Sequence, residues 1–299
     1  MKRLTAVVLT IILIMVFCAP ADAQILWRGA KTMNQGSVIT MAEWYLMNYT
    51  KSYDWTNEEW VDFPDDQKSL VWGFETMFGY AVTDNWEAMI HVPIVFKSSE
   101  TPTLIPTIPP TTEITKLDAS GIGDIYLKTR YAVIPWAKDH HGVTLTGALR
   151  FPTGDEEADI ALGDGGTDIG LGGMFSSAWM GGKHRGHLKA NYWINGENDD
   201  SLKTKTGNQL KVLVKYDYNL SEKVMPFLVY SFLSQGETEN DGNSIDNTNI
   251  TRHVLILGAN WNLKTGMVVR PKLAFPIGGE GGSIYGFEPV LDFWYIFQL

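Results

Sequence analysis

The sequence has almost no cysteine, and this limits how the protein can be stabilised. The only cysteine among the 299 residues is Cys18, which lies in the apolar segment at the start of the chain. A mature chain that has lost this segment can form no disulfide bond. An exported domain of this size would then need another source of stability.

The apolar segment has the three parts of a secretory signal peptide. Lys2 and Arg3 give it a positive start, residues 4–20 form an apolar run, and Ala-Asp-Ala at 21–23 is a cleavage site before Gln24. A membrane anchor is the alternative interpretation, but the run is short and the cleavage site follows it directly. We therefore expect a signal peptide at residues 1–23 and an exported mature chain at residues 24–299.

The mature chain also lacks long apolar runs and an excess of basic residues. No later run reaches the roughly 18–20 apolar residues that a membrane helix requires. The full sequence has 24 basic and 34 acidic residues, of which two basic and one acidic lie in the signal segment. The mature chain therefore has 22 basic and 33 acidic residues, a net charge of −11. This balance argues against nucleic-acid binding. Glycine (29 residues) and aromatic residues (12%) are abundant instead, which is typical of exported β-barrels and β-sandwiches.

Segments of alternating polarity predict twelve β-strands. They lie at 37–48, 69–82, 86–97, 121–135, 142–152, 166–180, 185–195, 207–220, 223–235, 249–262, 265–276 and 284–299. Their connections alternate between short turns, such as 83–85 and 221–222, and long polar loops, such as 97–120 and 236–248. An up-and-down outer-membrane barrel has short periplasmic turns and long external loops, whereas a sandwich has no reason to segregate them. We therefore predict an all-β fold, an up-and-down antiparallel transmembrane β-barrel of about twelve strands.

The last predicted strand, DFWYIFQL, has two different faces. One face is wholly apolar or aromatic and contains Phe293, Tyr295, Phe297 and Leu299. We expect this face to point to lipid and the mixed face to point into the barrel, with the strand closed against the first one. Barrel precursors typically carry such a terminal strand, which the barrel-insertion machinery reads. The expected partners are therefore this machinery, outer-membrane lipid, lipopolysaccharide and a small-molecule solute.

Charged residues in the middle of the predicted strands should face the lumen. On the lipid face, Arg or Lys would cost roughly 2–4 kcal/mol at the membrane midplane. The lumen-lining candidates are Glu75, Asp124, Lys128, Arg130, Arg150, Lys189, Lys215, Arg270, Lys272 and Glu288, together with Glu43, Glu87, Lys211, Asp217 and Asp292. They form either a salt-bridged interior that keeps the barrel rigid or a polar path that selects solutes by charge. A symmetric turn at 136–141 would place Lys128 across from Arg150, a like-charged pair that needs a carboxylate or an anion nearby.

The loops and histidines give little indication of chemistry. The acidic loop at 153–168 does not have the spacing of an EF-hand, and we expect it to be solvated, bridged by divalent ions to lipopolysaccharide. The proline-rich stretch 101–110 can fold inward as a plug or remain an external loop. No Ser or Asp lies beside a lumen histidine at a spacing typical of outer-membrane phospholipases or proteases. We expect no catalytic site, no metal site and no cofactor.

Two stretches resemble a known family of outer-membrane proteins. GIGDIYLKTRY (121–131) is similar to the G-x-G-D-x-x-x-x-x-x-Y strand of the transporter-like family named for the putative meta pathway of phenol degradation. FPTGDEEADIALGDGGTDIGLG (151–172) resembles that family's P-T-G-D stretch and the G-x-G-x-x-D that follows. The matching residues are Pro152, Thr153, Gly154 and Asp155, then Gly163, Gly165 or Gly166, and Asp168. The resemblance implies a relative of hydrophobic-compound channels such as long-chain fatty-acid and toluene transporters.

These features lead to one expected function and one alternative. The expected function is an outer-membrane channel or transporter-like barrel for the passive passage of small solutes, with aromatic or hydrophobic compounds as candidates. The alternative is a structural or interaction barrel with a filled lumen, whose external loops bind a partner.

Overall fold

The long strands follow one another as antiparallel neighbours, because each described connection between them reverses the direction of the chain. The computed structural model describes residues 29–105, 111–136, 141–199, 203–264 and 266–298. The wall strands are β1 (Ser37–Asp54), β2 (Lys68–Thr83), β3 (Trp86–Ile105), β4 (Ile125–Ile134), β5 (His141–Phe151), β6 (Asp168–Trp179), β7 (His184–Ile194), β8 (Gln209–Tyr218), β9 (Val224–Gln235), β10 (Ile250–Lys264), β11 (Met267–Glu280) and β12 (Glu288–Gln298).

The sheet closes on itself. Strand β12 pairs with β1 from Ser37 opposite Gln298 to Tyr45 opposite Val290, and β1 also pairs with β2. The predicted up-and-down barrel of twelve antiparallel strands is confirmed. We call the end with the short connections the turn end and the other the loop end; by the usual orientation of such barrels, they face the periplasm and the exterior.

Several strands continue beyond their predicted limits at the loop end. Strand β3 runs to Ile105 and pairs with the additional strand Thr111–Ile122, so an irregular loop at 97–120 was the wrong expectation. The alternation of apolar and polar side chains that lipid imposes on β3 ends near residue 97. Backbone pairing continues outside the membrane, where polar residues occupy both faces of the strand. Residues 106–110, in the proline-rich stretch, lie outside the described residues. Five shorter strands complete the loop end: Glu59–Asp62, Thr204–Lys205, Glu239–Asn240, Asn243–Ser244 and Ser283–Tyr285.

Side chains alternate between lipid and lumen along the wall. In β4, Leu127 and Tyr131 are 46% and 53% exposed on the outer face, whereas Lys128 and Arg130 are buried inside. This follows the cost of placing a charge in hydrocarbon. No helix within the described ranges is long and apolar enough to cross a membrane.

Strand β12 shows the predicted two faces. Phe293 and Tyr295 are exposed on the outside, and Trp294 is buried in the interior. Leu299 and the signal segment, including Cys18, lie outside the described residues.

The interior contains small apolar clusters that flank a charged middle, rather than one large hydrophobic core. The lower cluster, at the turn end, contains Met33, Ile39, Met41, Met77, Ala81, Met89, Val268 and Trp294. The upper cluster, at the loop end, contains Met47, Tyr49, Val71, Val95, Leu162 and Tyr285. Buried charges between the clusters require partners, and their pairing defines the site.

Candidate functional site

Most of the predicted lumen-lining residues are buried in the interior. The buried ones are Glu75, Asp124, Lys128, Arg130, Arg150, Lys189, Lys215, Arg270 and Lys272, whereas Glu288 is half-buried. The structure brings together around one cavity Glu75, Asp124, Arg150, Lys272 and Glu288. The remaining five lie apart from it: Lys128 and Lys189 line a smaller cavity, and Arg130, Lys215 and Arg270 lie nearer the turn end.

The central cavity contains about 1440 Å³ of empty space, part of it open to solvent. Its wall is both charged and apolar. The apolar lining includes Val71, Val95, Leu233, Val254 and Ile256. Small-molecule sites typically combine apolar walls with a few polar groups. The central cavity has this mixed lining.

The N-terminal segment, residues 29–36, crosses the interior at the turn end. Ala30 donates its backbone N–H to Ser176 Oγ (2.7 Å), and its carbonyl accepts a hydrogen bond from Thr144 Oγ1 (2.8 Å). Arg130 Nη2 donates to the carbonyl of Gly29 at 2.5 Å. The segment therefore narrows the lumen below the central cavity. Apart from its position directly before β1, nothing in its sequence indicates this role.

Ser176, His187 and Asp217 form a buried hydrogen-bonded chain against the N-terminal segment, which their sequence spacing does not indicate. Ser176 Oγ lies 2.7 Å from His187 Nδ1, and His187 Nε2 lies 2.7 Å from Asp217 Oδ2. Because the Asp217 carboxylate can only accept, the ring N–H is at Nε2, and Nδ1 of the neutral ring accepts the Ser176 hydroxyl proton. Ser176 is 0% exposed, so its hydroxyl is sealed beneath the segment that it binds.

The acidic loop between β5 and β6 lies partly inside the loop end of the lumen. Arg150 forms ion pairs with both Asp164 and Asp168. Asp124 accepts the backbone N–H groups of Gly154 and Asp164, each at 3.0 Å. These contacts hold the loop above the central cavity.

The expectation of a fully solvated acidic loop is therefore wrong for its second half. Residues 155–157 are exposed, but 160–162 are buried, and Leu162 belongs to the upper cluster. Lys97 Nζ also donates to the carbonyl of Ala161. The buried cations Lys97 and Arg150 favour an inward path, because each finds its oxygen partners there. Within the described ranges, no group of three metal-ligating side chains comes together.

The predicted like-charged pair is offset, and its cations have other partners. Lys128 lies opposite Ala148, and Arg150 lies opposite Tyr126, so the expected Lys128–Arg150 pairing is wrong by two residues. A bulge between Ala132 and Ile134 makes the connection asymmetric. The nearby cations have partners: Arg130 with Glu87, Arg150 with Asp164 and Asp168, and Lys128 over the ring of Tyr126 at 4.8 Å.

Fold and interior together define the class of protein. A closed antiparallel barrel with an apolar outer face and a charged interior is an outer-membrane β-barrel, and its location is the bacterial outer membrane. The family model described as "Putative MetA-pathway of phenol degradation" matches residues 92–275, more than half of the 299-residue chain. The chain belongs to this family, which confirms the resemblance seen in 121–131 and 151–172. Among curated proteins, no relative matches the sequence.

Solved structures show the same fold. A COG4313 outer membrane channel from Pseudomonas putida F1 is similar with a TM-score of 0.72 and 16% identity, over 93% of this chain and 99% of that chain. The beta domain of the Bordetella autotransporter Brka is similar with a TM-score of 0.51 and 8% identity, over 88% of this chain and 100% of that chain. At these identities the likeness concerns the barrel fold.

Proposed function

We propose that the barrel is a channel for the passive passage of small solutes, with aromatic or hydrophobic compounds as the favoured class. The observation that carries this proposal is the central cavity, which lies in the lumen between the N-terminal segment and the acidic loop. Two comparisons support the same function. The protein from Pseudomonas putida F1 with the same fold is described as an outer membrane channel, and the family is described by a pathway of phenol degradation.

The N-terminal segment and the acidic loop narrow the lumen at its two ends, and we call them the two closures. They suit a selective channel better than a wide pore. Both are made of hydrogen bonds and ion pairs between backbone or loop groups and the barrel wall, such as Ala30 with Ser176 and Asp164 with Arg150. A modest shift of either closure opens a path, while the barrel itself stays intact. Because the cavity wall is partly apolar, a small ring compound can replace water there at little cost.

The alternative is a barrel with a filled lumen that serves as a structural or interaction module. The closures at both ends favour it, because a lumen blocked at rest conducts nothing unless they move. Ion conductance in planar bilayers, together with swelling of proteoliposomes in small aromatic solutes, separates the two functions. A channel gives discrete conductance steps and solute uptake, whereas a filled barrel gives neither.

A matched pair of variants tests whether passage uses the central cavity. Ala274 is buried and lines the cavity, so Ala274→Trp should narrow it and reduce uptake. Val133 is 52% exposed on the lipid face, so Val133→Trp adds the same indole outside the lumen and should leave uptake unchanged. Equal uptake by both variants would contradict passage through the cavity.

We also propose the export route and the absence of a catalytic step. Removal of residues 1–23 would yield a mature protein starting at Gln24, which mass spectrometry of the membrane protein tests.

The outward aromatic face of β12 suits recognition by the insertion machinery, and the exposed acids at 155–157 suit divalent bridges to lipopolysaccharide. Ser176 is hydrogen-bonded to His187 but sealed by Ala30, which supports a docking role rather than hydrolysis.

A further inference from the structure

We propose that the central cavity contains a binding site for small apolar monocarboxylates, such as aromatic acids, with Arg252 as the anion-binding group. The inference rests on the proposed function in one respect, since the ligand must reach the cavity along the lumen.

Arg252, on β10, is a buried cation without an ion-pair partner among the described residues. It is 9% exposed and lines the central cavity. Its Nη2 donates to the carbonyl of Ser283 at 2.9 Å, whereas its Nε has no hydrogen-bond partner. Three other interior arginines have carboxylate partners: Arg130 with Glu87, Arg150 with Asp164, and Arg270 with Asp292. Glu288 faces this guanidinium but forms no ion pair with it among the described residues, and a ligand carboxylate would supply a charge-assisted partner in the cavity.

Lys211 strengthens the positive potential at this place. Lys211 on β8 and Arg252 on β10 both lie opposite Leu233 of β9 in the strand registers. Adjacent strands are about 4.8 Å apart, so the two cations stand roughly 10 Å apart on the same face, with Leu233 between them. Both line the central cavity. An anion bound at Arg252 therefore also experiences the charge of Lys211.

The wall next to Arg252 is apolar, which determines the rest of the ligand. Val254 and Ile256 follow Arg252 on the same face of β10, because residues two apart in a strand point the same way. Together with Leu233 they line the cavity. A ligand with its carboxylate at Arg252 would place an aromatic or branched apolar group along these side chains, and this burial discriminates it from inorganic anions.

Most acidic residues of the cavity are already engaged. Glu43 accepts from Lys272 at 2.7 Å, Asp164 pairs with Arg150, and Asp124 accepts backbone N–H groups. Glu288 is half-buried and faces Lys272, Lys211 and Arg252. A ligand with a second carboxylate would meet Glu288, so the site favours a single negative charge.

Binding of benzoate and benzamide to the detergent-solubilised mature barrel, measured by isothermal titration calorimetry, tests the site. The two probes have the same ring and similar shape and differ in charge. We expect benzoate to bind one per barrel and benzamide to bind at least tenfold more weakly, because a charge-assisted bond to a buried arginine is worth a factor of ten or more. Inorganic phosphate should bind more weakly than benzoate, since it cannot use the apolar wall.

Variants locate the effect. Arg252→Met should weaken benzoate at least tenfold and leave benzamide within about twofold. Arg185→Met is the matched control, because Arg185 is a half-buried interior arginine that does not line the central cavity. It should bind benzoate like the wild type. Folding of each variant is checked by heat-dependent mobility on gels, and Arg252→Lys replaces Arg252→Met if the latter does not fold.

The outcomes separate this inference from the proposed function. No benzoate binding, equal binding of benzoate and benzamide, or wild-type benzoate affinity in Arg252→Met would overturn the site. Phosphate binding as tight as benzoate would overturn the assigned ligand class. Conductance and liposome swelling are measured on the same protein. If the barrel conducts but does not bind benzoate, the channel function stands and the binding site is wrong. If it binds benzoate through Arg252 but does not conduct, the binding site stands and the channel function is wrong.

Discussion

Lys272 on β11 donates a hydrogen bond to Glu43 on β1 at 2.7 Å, across 229 positions of the sequence. The same ammonium group lies 3.0 Å from Asp292 Oδ1 on β12. Glu43 and Asp292 lie directly opposite each other where the last strand closes against the first, and like charges in that position repel. Lys272, together with Arg270 on Asp292, therefore holds this seam of the barrel closed.

Loss of the seam cation should destabilise the barrel strongly. In Lys272→Met, Glu43 loses its cation, and removing one partner of a buried pair typically costs about 3–5 kcal/mol. We expect the free energy of unfolding, measured by urea titration in liposomes, to fall by about that amount.

An exposed ion pair provides the control for this prediction. Lys68 lies 3.2 Å from Glu100 at the loop end, and Lys68→Met should change the free energy of unfolding far less, because exposed pairs contribute little. Equal losses in the two variants would show that the seam pair contributes no more than a surface pair.

The wall of the barrel could be predicted from the sequence because lipid imposes a simple rule on it. A charge such as Lys128 cannot face hydrocarbon, so Leu127 and Lys128 must take opposite faces, and the strand follows. This alternation of lipid-facing and lumen-facing side chains ends where the chain leaves the membrane. For this reason the sequence pattern did not predict the paired strand at 111–122. It also does not say which interior groups meet. Arg150 finds Asp164 only because the acidic loop turns inward, and Ala30 finds Ser176 only because the N-terminal segment crosses the lumen.

The ion pairs of Arg150 should control the position of the acidic loop. Arg150→Gln removes the charge that holds Asp164 and Asp168, so residues 155–164 should open to the exterior more often. We expect the protease Glu-C, added to intact cells, to cleave after Glu156 or Glu157 about tenfold faster than in the wild type. Arg185→Gln, which loses an arginine elsewhere in the interior, should not change the rate. An unchanged rate in Arg150→Gln would mean that other contacts position the loop.

The exposed charge row Lys68–Glu100–Lys116 should make the loop end sensitive to acid. Hydrogen bonds from Lys116 and Lys68 lower the pKa of Glu100 below its ordinary value of 4.5. A lowered pKa in the folded state means that the pairing stabilises the hairpin above pH 4.5 and is lost as the pH falls through the lowered value. Amide exchange at residues 98–101, corrected for intrinsic rates, should therefore rise in this acid range. Glu100→Gln should remove the pH step, and a step that persists in this variant would assign it to another group.

The outer face of β12 should be needed for insertion. Phe293 and Tyr295 are exposed to lipid in the last strand, which the insertion machinery is expected to read. Phe293→Ser with Tyr295→Ser should leave the precursor exported but not folded in the membrane, as measured by heat-dependent gel mobility of membrane fractions. Leu127→Ser with Tyr131→Ser removes comparable lipid-facing side chains from β4 and should still insert. If both double variants insert equally, recognition does not depend on this face.

Two glycines of the N-terminal segment differ in what surrounds them. Gly29 and Gly36 both have a positive φ, of 59° and 79°, so alanine strains the backbone at either position. At Gly29 the added methyl group would overlap the ring of His187 and Ser176 Oγ, whereas at Gly36 no atom lies within 4 Å. Only the first substitution is incompatible with docking of the segment.

Gly29→Ala should therefore open the turn end of the lumen, and Gly36→Ala should not. The methyl group at Gly29 takes the space of the hydrogen-bonded chain, so Ala30 can no longer donate to Ser176, and the displaced backbone group loses a buried partner worth about 1–3 kcal/mol. We expect the mean single-channel conductance of Gly29→Ala in planar bilayers to rise several-fold, while Gly36→Ala retains the wild-type value. Equal conductance in the two variants would mean that the N-terminal segment does not limit ion flow, and that the narrow point lies at the acidic loop.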